Sequence, residues 1–194
     1  MEVLDALRQA LKAAADVIKW GAGIQESTRK ALVADMQGIC GNIETAYETV
    51  LTRLVPIKNA YSDPAKLAVE LRTFAADAAT RRQFKPEHLC GQVDVLMGRL
   101  SSNLDPLKYS IDFRRIEGLR QYLSQFGNVD GAIFESYDEF TNDLDQLATQ
   151  MQDPQYDPQE RALYVRHVVD DFMEELRSAQ ADMRDAKAKV VSSI

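Results

Sequence analysis

Cysteine is scarce in this chain. Two residues in 194, Cys40 and Cys90, cannot form a disulfide framework, and both are read as reduced thiols of a cytoplasmic protein. Nine glycines and six prolines fall below the average usage of about 7% and 5%, which argues against hairpins, low-complexity linkers and loop-rich folds. No run approaches the roughly 18 apolar residues that a membrane-spanning helix needs. Glu2, Asp5, Arg8, Lys12, Asp16 and Lys19 break up the stretch where a secretory leader would lie. Lys and Arg are missing altogether from residues 121–160, although nine Asp and Glu fall within 130–160 and the net charge is −7. A duplex-binding surface needs clustered cations to neutralise phosphates, so DNA is not an expected partner.

What is plentiful is alanine, at 23 residues, and apolar side chains at helical spacing. Residues 2–20 place Val3, Leu4, Leu7, Leu11, Val17 and Ile18 near one face, with Gly21 behind as a stop. From about 25 to 61, Leu32, Met36, Ile39, Ile43, Ala46 or Tyr47, Val50, Leu54 and Ile57 alternate steps of three and four in a heptad-like, coiled-coil-type seam, with Pro56 in its last turns. Asp63-Pro64 predicts a third helix running to about 82. Residues 86–126 form either one helix kinked near Asp105-Pro106 or two. Asp130 opens a helix carrying Ile133, Tyr137, Phe140, Leu144, Leu147 and Met151, and Asp157-Pro158-Gln159-Glu160 opens a last one with Val165, Val169, Phe172 and Leu176 on its seam. The seam weakens beyond residue 180, so 180–194 reads as a helical extension or linker. The expected fold is one all-α domain over 1–194, an elongated antiparallel bundle of six or seven helices, two of them long.

Chemistry is harder to find. The histidines come first, because few other side chains titrate near neutral pH. Arg161 stands six positions before His167, and Arg82 six before His88. Such a spacing on a helical fold resembles the catalytic motif of the HEPN ribonuclease superfamily, with Ala162 where that family shows a polar residue. The resemblance spans seven residues at each place. It implies metal-independent RNA cleavage where two protomers meet, with Arg161 and His167 as the catalytic pair.

A metal is not expected. Di-iron helical proteins carry Glu three residues before His, where this chain has Lys85 and Tyr164, and a calcium loop around Gly131 would put Phe126 and Tyr137 at ligand positions. No Gly-rich phosphate loop or Gly-x-Ser-x-Gly elbow exists, so no cofactor is implied. Cys40-Gly41 and Cys90-Gly91 share a pattern that reads either as a redox pair or as small residues allowing close helix approach. The first helix, ending at Trp20, reads as a core helix in preference to a membrane-surface anchor, because its polar face has no net positive charge.

The acidic segment departs most from an average helical domain. On a wheel centred on Phe140 and Leu144, the far face is Glu135, Asp138, Asn142 and Asp145, a stripe with no cation near it in sequence. Such a stripe either keeps the surface solvated or docks a basic partner and speeds its association. The expected function is a non-enzymatic protein-interaction module, an adaptor, scaffold or regulatory domain, with those four residues as the docking candidates. Homo-oligomerisation is compatible with the same features. The alternatives are the metal-independent ribonuclease and a membrane-acting bundle.

Overall fold

The computed structural model describes residues 2–20, 24–83, 90–103, 110–127 and 135–192, and among these residues it holds eight α-helices and no strand. They are α1 (Glu2–Trp20), α2 (Glu26–Asn59), α3 (Pro64–Ala75), α4 (Ala78–Gln83), α5 (Cys90–Asn103), α6 (Ser110–Gly127), α7 (Glu135–Gln150) and α8 (Pro158–Val191). The all-α expectation holds. So do the two long helices: α2 and α8 have 34 residues each, about 51 Å at 1.5 Å per residue. The expected C-cap Gly21 and the start of the helix placed at Asp130 lie outside the described residues.

The local start signals act as expected. Asp63 accepts hydrogen bonds from the amides of Ala65 and Lys66, both at 3.1 Å, and Asp157 accepts one from Gln159 at 2.9 Å. Each is followed by proline at the first helical position, where its missing N–H costs nothing. α2 continues through Pro56 to Asn59.

Among the described residues the third predicted helix breaks into α3 and α4 at Asp77. Its carboxylate accepts from the amides of Ala79 (3.0 Å) and Thr80 (3.2 Å) and from the Thr80 hydroxyl (2.8 Å), which restarts the chain as α4. Arg53 of α2 stands 3.3 Å away. Burial by itself would raise the Asp77 pKa, but the Thr80 and Ala79 hydrogen bonds and the Arg53 charge outweigh it and hold the carboxyl below its ordinary value. A carboxyl depressed in the folded state adds stability above its unfolded pKa of about 3.9, and that stability is lost as pH falls through the folded value. Asp77→Asn is therefore expected to flatten the acid limb of the stability curve below about pH 4. Urea unfolding on both sides of that pH measures this, and an unchanged acid limb would assign it to other carboxylates.

Within 86–126 the described residues form two helices, α5 and α6. Asp94 pairs with Arg120 at 3.3 Å, and the Ser101 hydroxyl donates to Glu117 at 3.3 Å. Residues early in α5 thus meet residues late in α6, which is antiparallel packing that one kinked helix cannot make.

At the centre lies α1, packed against α2, α5, α6, α7 and α8. Ala10, Leu11, Ala13, Ala14, Ala15, Val17 and Ile18 are all buried, leaving only a narrow stripe marked by Gln9 and Lys12 exposed among the described side chains. Arg29, at the start of α2, donates to the carbonyl oxygens of Ile18 and Lys19 and so satisfies the open end of α1. The core-helix expectation for this segment is met.

Described residues near the end of α8 belong to that core. Met183, Ala186 and Val190 are buried. Asp182 binds Arg8 at 3.3 Å and Lys12 at 2.8 Å, and Lys189 binds Asp16, so α1 runs alongside in the same direction. The seam weakens toward alanine because it faces an alanine-rich helix, where small side chains let the two backbones approach. On its other side α8 runs antiparallel to α2, with Gln180 donating to Glu48 at 3.1 Å and Lys58 pairing with Asp170 at 3.0 Å. Asp170 also accepts from the Tyr61 hydroxyl at 3.3 Å, and the Lys58 hydrogen bond is the main reason its carboxyl sits below the ordinary range.

Phe140 anchors α7. Its ring stacks on Phe172 of α8, 3.8 Å between centroids at 20°, and meets Phe74 of α3 edge-on at 6.0 Å and 84°. One residue thereby ties α7 to the helices on its two sides.

Candidate functional site

Burial of Phe140, Leu144, Leu147, Ala148 and Met151 turns the opposite side of α7 to solvent. Among the four residues expected to form an acidic stripe, Asn142 and Asp145 are exposed. Glu135 begins α7, but its side chain lies outside those described. Asp138 is half-buried and paired with Arg81 of α4. The stripe is therefore not free of cations. Arg81 lies 57 positions away in sequence (138 − 81 = 57), so no local pattern could have placed it there. The α7 carboxylates that stay exposed, with no ion pair to a described residue, are Glu139, Asp143 and Asp145.

Of these carboxylates, Asp143 adjoins an apolar surface that the acidic pattern did not reveal. On α8, Leu163 is 64% exposed and the adjacent Tyr164 is 54% exposed. His167, also exposed, follows them by four and three positions and so shares their face. Glu160 and Asp171 flank this face, both exposed. Its signal was present in the sequence, since Leu163 and Tyr164 sit off the Val165-Val169-Phe172 seam, which is where an apolar pair has no core to enter. Between the helices runs a groove of about 240 Å³, with Asp143, Gln146 and Gln150 on its α7 wall and Arg161, Tyr164 and Val168 on its α8 wall. The Arg161 guanidinium lies 5.3 Å from the centre of the Tyr156 ring and pairs with Glu160 at 3.8 Å.

The Arg161–His167 pair is not assembled within one chain. Six residues on a helix separate two side chains by about 120° around the axis and about 9 Å along it. Arg161 turns toward the groove and Tyr156, while His167 is exposed and makes no hydrogen bond to a described residue. In the second motif, Arg82 donates to the Ala78 carbonyl at 3.1 Å, and His88 lies outside the described residues.

Cys40 is fully buried, and that burial, reinforced by the Glu44 charge and opposed by Lys187, pushes its thiol up to about 11. It stays protonated near neutral pH and is no nucleophile. Cys90 begins α5 with its side chain outside those described. A Cβ built on Gly41 meets nothing within 4 Å, so that glycine does not permit close helix approach. Among the described residues no group of three or more His, Cys, Asp or Glu is placed to hold a metal ion, and no helix is long and apolar enough to cross a membrane.

No protein-family model matches the chain, and neither does any curated protein or solved structure.

Proposed function

We propose that this chain is a non-enzymatic interaction module that docks a basic amphipathic helix of a protein partner on the face shared by α7 and the first turns of α8. One observation carries the reading: an exposed, adjacent Leu163-Tyr164 pair bordered by Asp143, Glu160 and Asp171. Single exposed valines such as Val69 and Val95 are ordinary on a folded surface. A leucine and a tyrosine side by side within a charged rim have the anatomy of an interface centre, where an aromatic anchor carries much of the energy. The rim carries the carboxylates Asp143, Glu160 and Asp171, and its nearby cations Arg161 and Arg166 lean toward Tyr156 and Glu160 and toward Tyr61 and Asp170. A complementary partner is therefore apolar along one stripe and basic beside it, which an amphipathic helix laid against α7 and α8 supplies.

The test compares variants and does not rest on capture alone. A partner recovered from native extract with the parent chain should fall about tenfold or more with Leu163→Asp plus Tyr164→Ala, since both anchors are removed. Helicity and melting temperature should not change, because both side chains are outside the core. Charge reversal at Asp143 and Glu160 should mainly slow association and reduce its salt dependence. Equal recovery with the apolar double variant would remove this face from consideration.

A further inference from the structure

We infer that the groove between α7 and α8 seats one lysine or arginine side chain of that basic helix. The inference rests on the docking reading above and adds a specific contact to it. At about 240 Å³ the groove is smaller than the roughly 300 Å³ or more typical of drug-sized ligand sites, and it suits a single long side chain. Its chemistry selects a cation. The α7 wall offers the Asp143 carboxylate, exposed and without an ion pair to a described residue, and beside it the amides of Gln146 and Gln150, whose oxygens accept hydrogen bonds. The α8 wall offers the Tyr164 ring, whose π system attracts a cation. Leu147, buried, and Val168, half-buried, supply apolar surface for the guest's methylene stem, as snorkelling Lys and Arg side chains require.

Asp143 repels an anionic guest; Arg161, on the facing wall, leans on the Tyr156 ring at 5.3 Å and on Glu160 at 3.8 Å, with its Nε buried and without a hydrogen-bond partner among the described residues. Carboxylate and ring come from different helices, so they grip a cation from two sides. The site exists only while α7 and α8 stay in register.

The inference can be tested with side-chain mimics, independently of any partner. The full chain is titrated at low salt with n-butylammonium and with n-propylguanidinium, using n-butanol as the neutral control, and followed by NMR. Saturable shifts are expected at the Tyr164 ring and the Val168 methyls with the two cations. Asp143→Asn should weaken the apparent affinity about fivefold and Tyr164→Leu about two- to fivefold. Asp145→Asn, which removes a carboxylate that does not line the groove, should change nothing. Equal shifts with n-butanol, or undiminished cation binding by Asp143→Asn, would overturn the inference. The docking reading fails by a different result, undiminished partner recovery with the Leu163→Asp and Tyr164→Ala chain, so the two failures are distinguishable.

Discussion

Phe140→Ala should lower the unfolding free energy by about 3–5 kcal/mol, the range for deleting a buried phenylalanine ring. The residue is 7% exposed, stacks on Phe172 at 3.8 Å and meets Phe74 edge-on at 6.0 Å. Truncation removes the transfer energy of the ring together with both aromatic contacts, each about 0.5–1.5 kcal/mol beyond area burial. The cavity left behind lies where α3, α7 and α8 meet, and helices joined at their ends cannot easily close it. Against a total stability of about 5–15 kcal/mol, the loss would be plain in a urea titration. Phe140→Leu, which keeps most of the volume, should recover much of it. A loss under about 1 kcal/mol for alanine would mean that α7 is held by something other than this stack. The variant should also weaken docking, because Asp143 rides on α7. Leu163→Asp with Tyr164→Ala should instead weaken docking with little loss of stability. The contrast separates a scaffold residue from a contact residue.

The second large effect has the opposite sign. Gly38 and Gly41 lie in the interior of α2 and Gly118 in the interior of α6, and a Cβ added at any of them meets nothing within 4 Å. Mid-helix glycine costs about 0.5–1 kcal/mol relative to alanine, because the unfolded chain loses more freedom on folding. Changing all three to alanine should therefore add about 1.5–3 kcal/mol if the sites act independently, which for a chain of this length raises the melting temperature by about 3–12 °C. Gly98 is the internal contrast, since its Cβ would come 3.3 Å from Nε of Arg120, the side chain that pairs with Asp94. Alanine there should give a smaller gain or none. Calorimetry of the triple variant against Gly98→Ala decides the matter, and a triple variant melting no higher than the parent would refute it.

Helix class and the starts of α3 and α8 were legible in the sequence because both are set within a few residues. Asp63-Pro64 and Asp157-Pro158 cap helices with their own carboxylates, and apolar side chains three and four apart share a face whatever lies opposite. The break at Asp77 has an equally local cause, a carboxylate that bonds the amides two and three residues ahead. It was hidden because Leu67, Leu71, Phe74 and Ala78 keep helical spacing across it. The acidic stripe was only partly legible for the reverse reason: its spacing on α7 is local, but the partner of Asp138 is Arg81 of another helix.

By itself, then, the sequence determined an all-α chain with long second and last helices and the residues that line their buried faces, since those follow from periodicity and capping. Tertiary structure alone decided which helix lies at the centre, that the alanine-rich end of α8 is covered by α1, and that Leu163 and Tyr164 are covered by nothing described. Periodicity tells which side of a helix is apolar. What covers that side depends on packing between residues far apart in the chain.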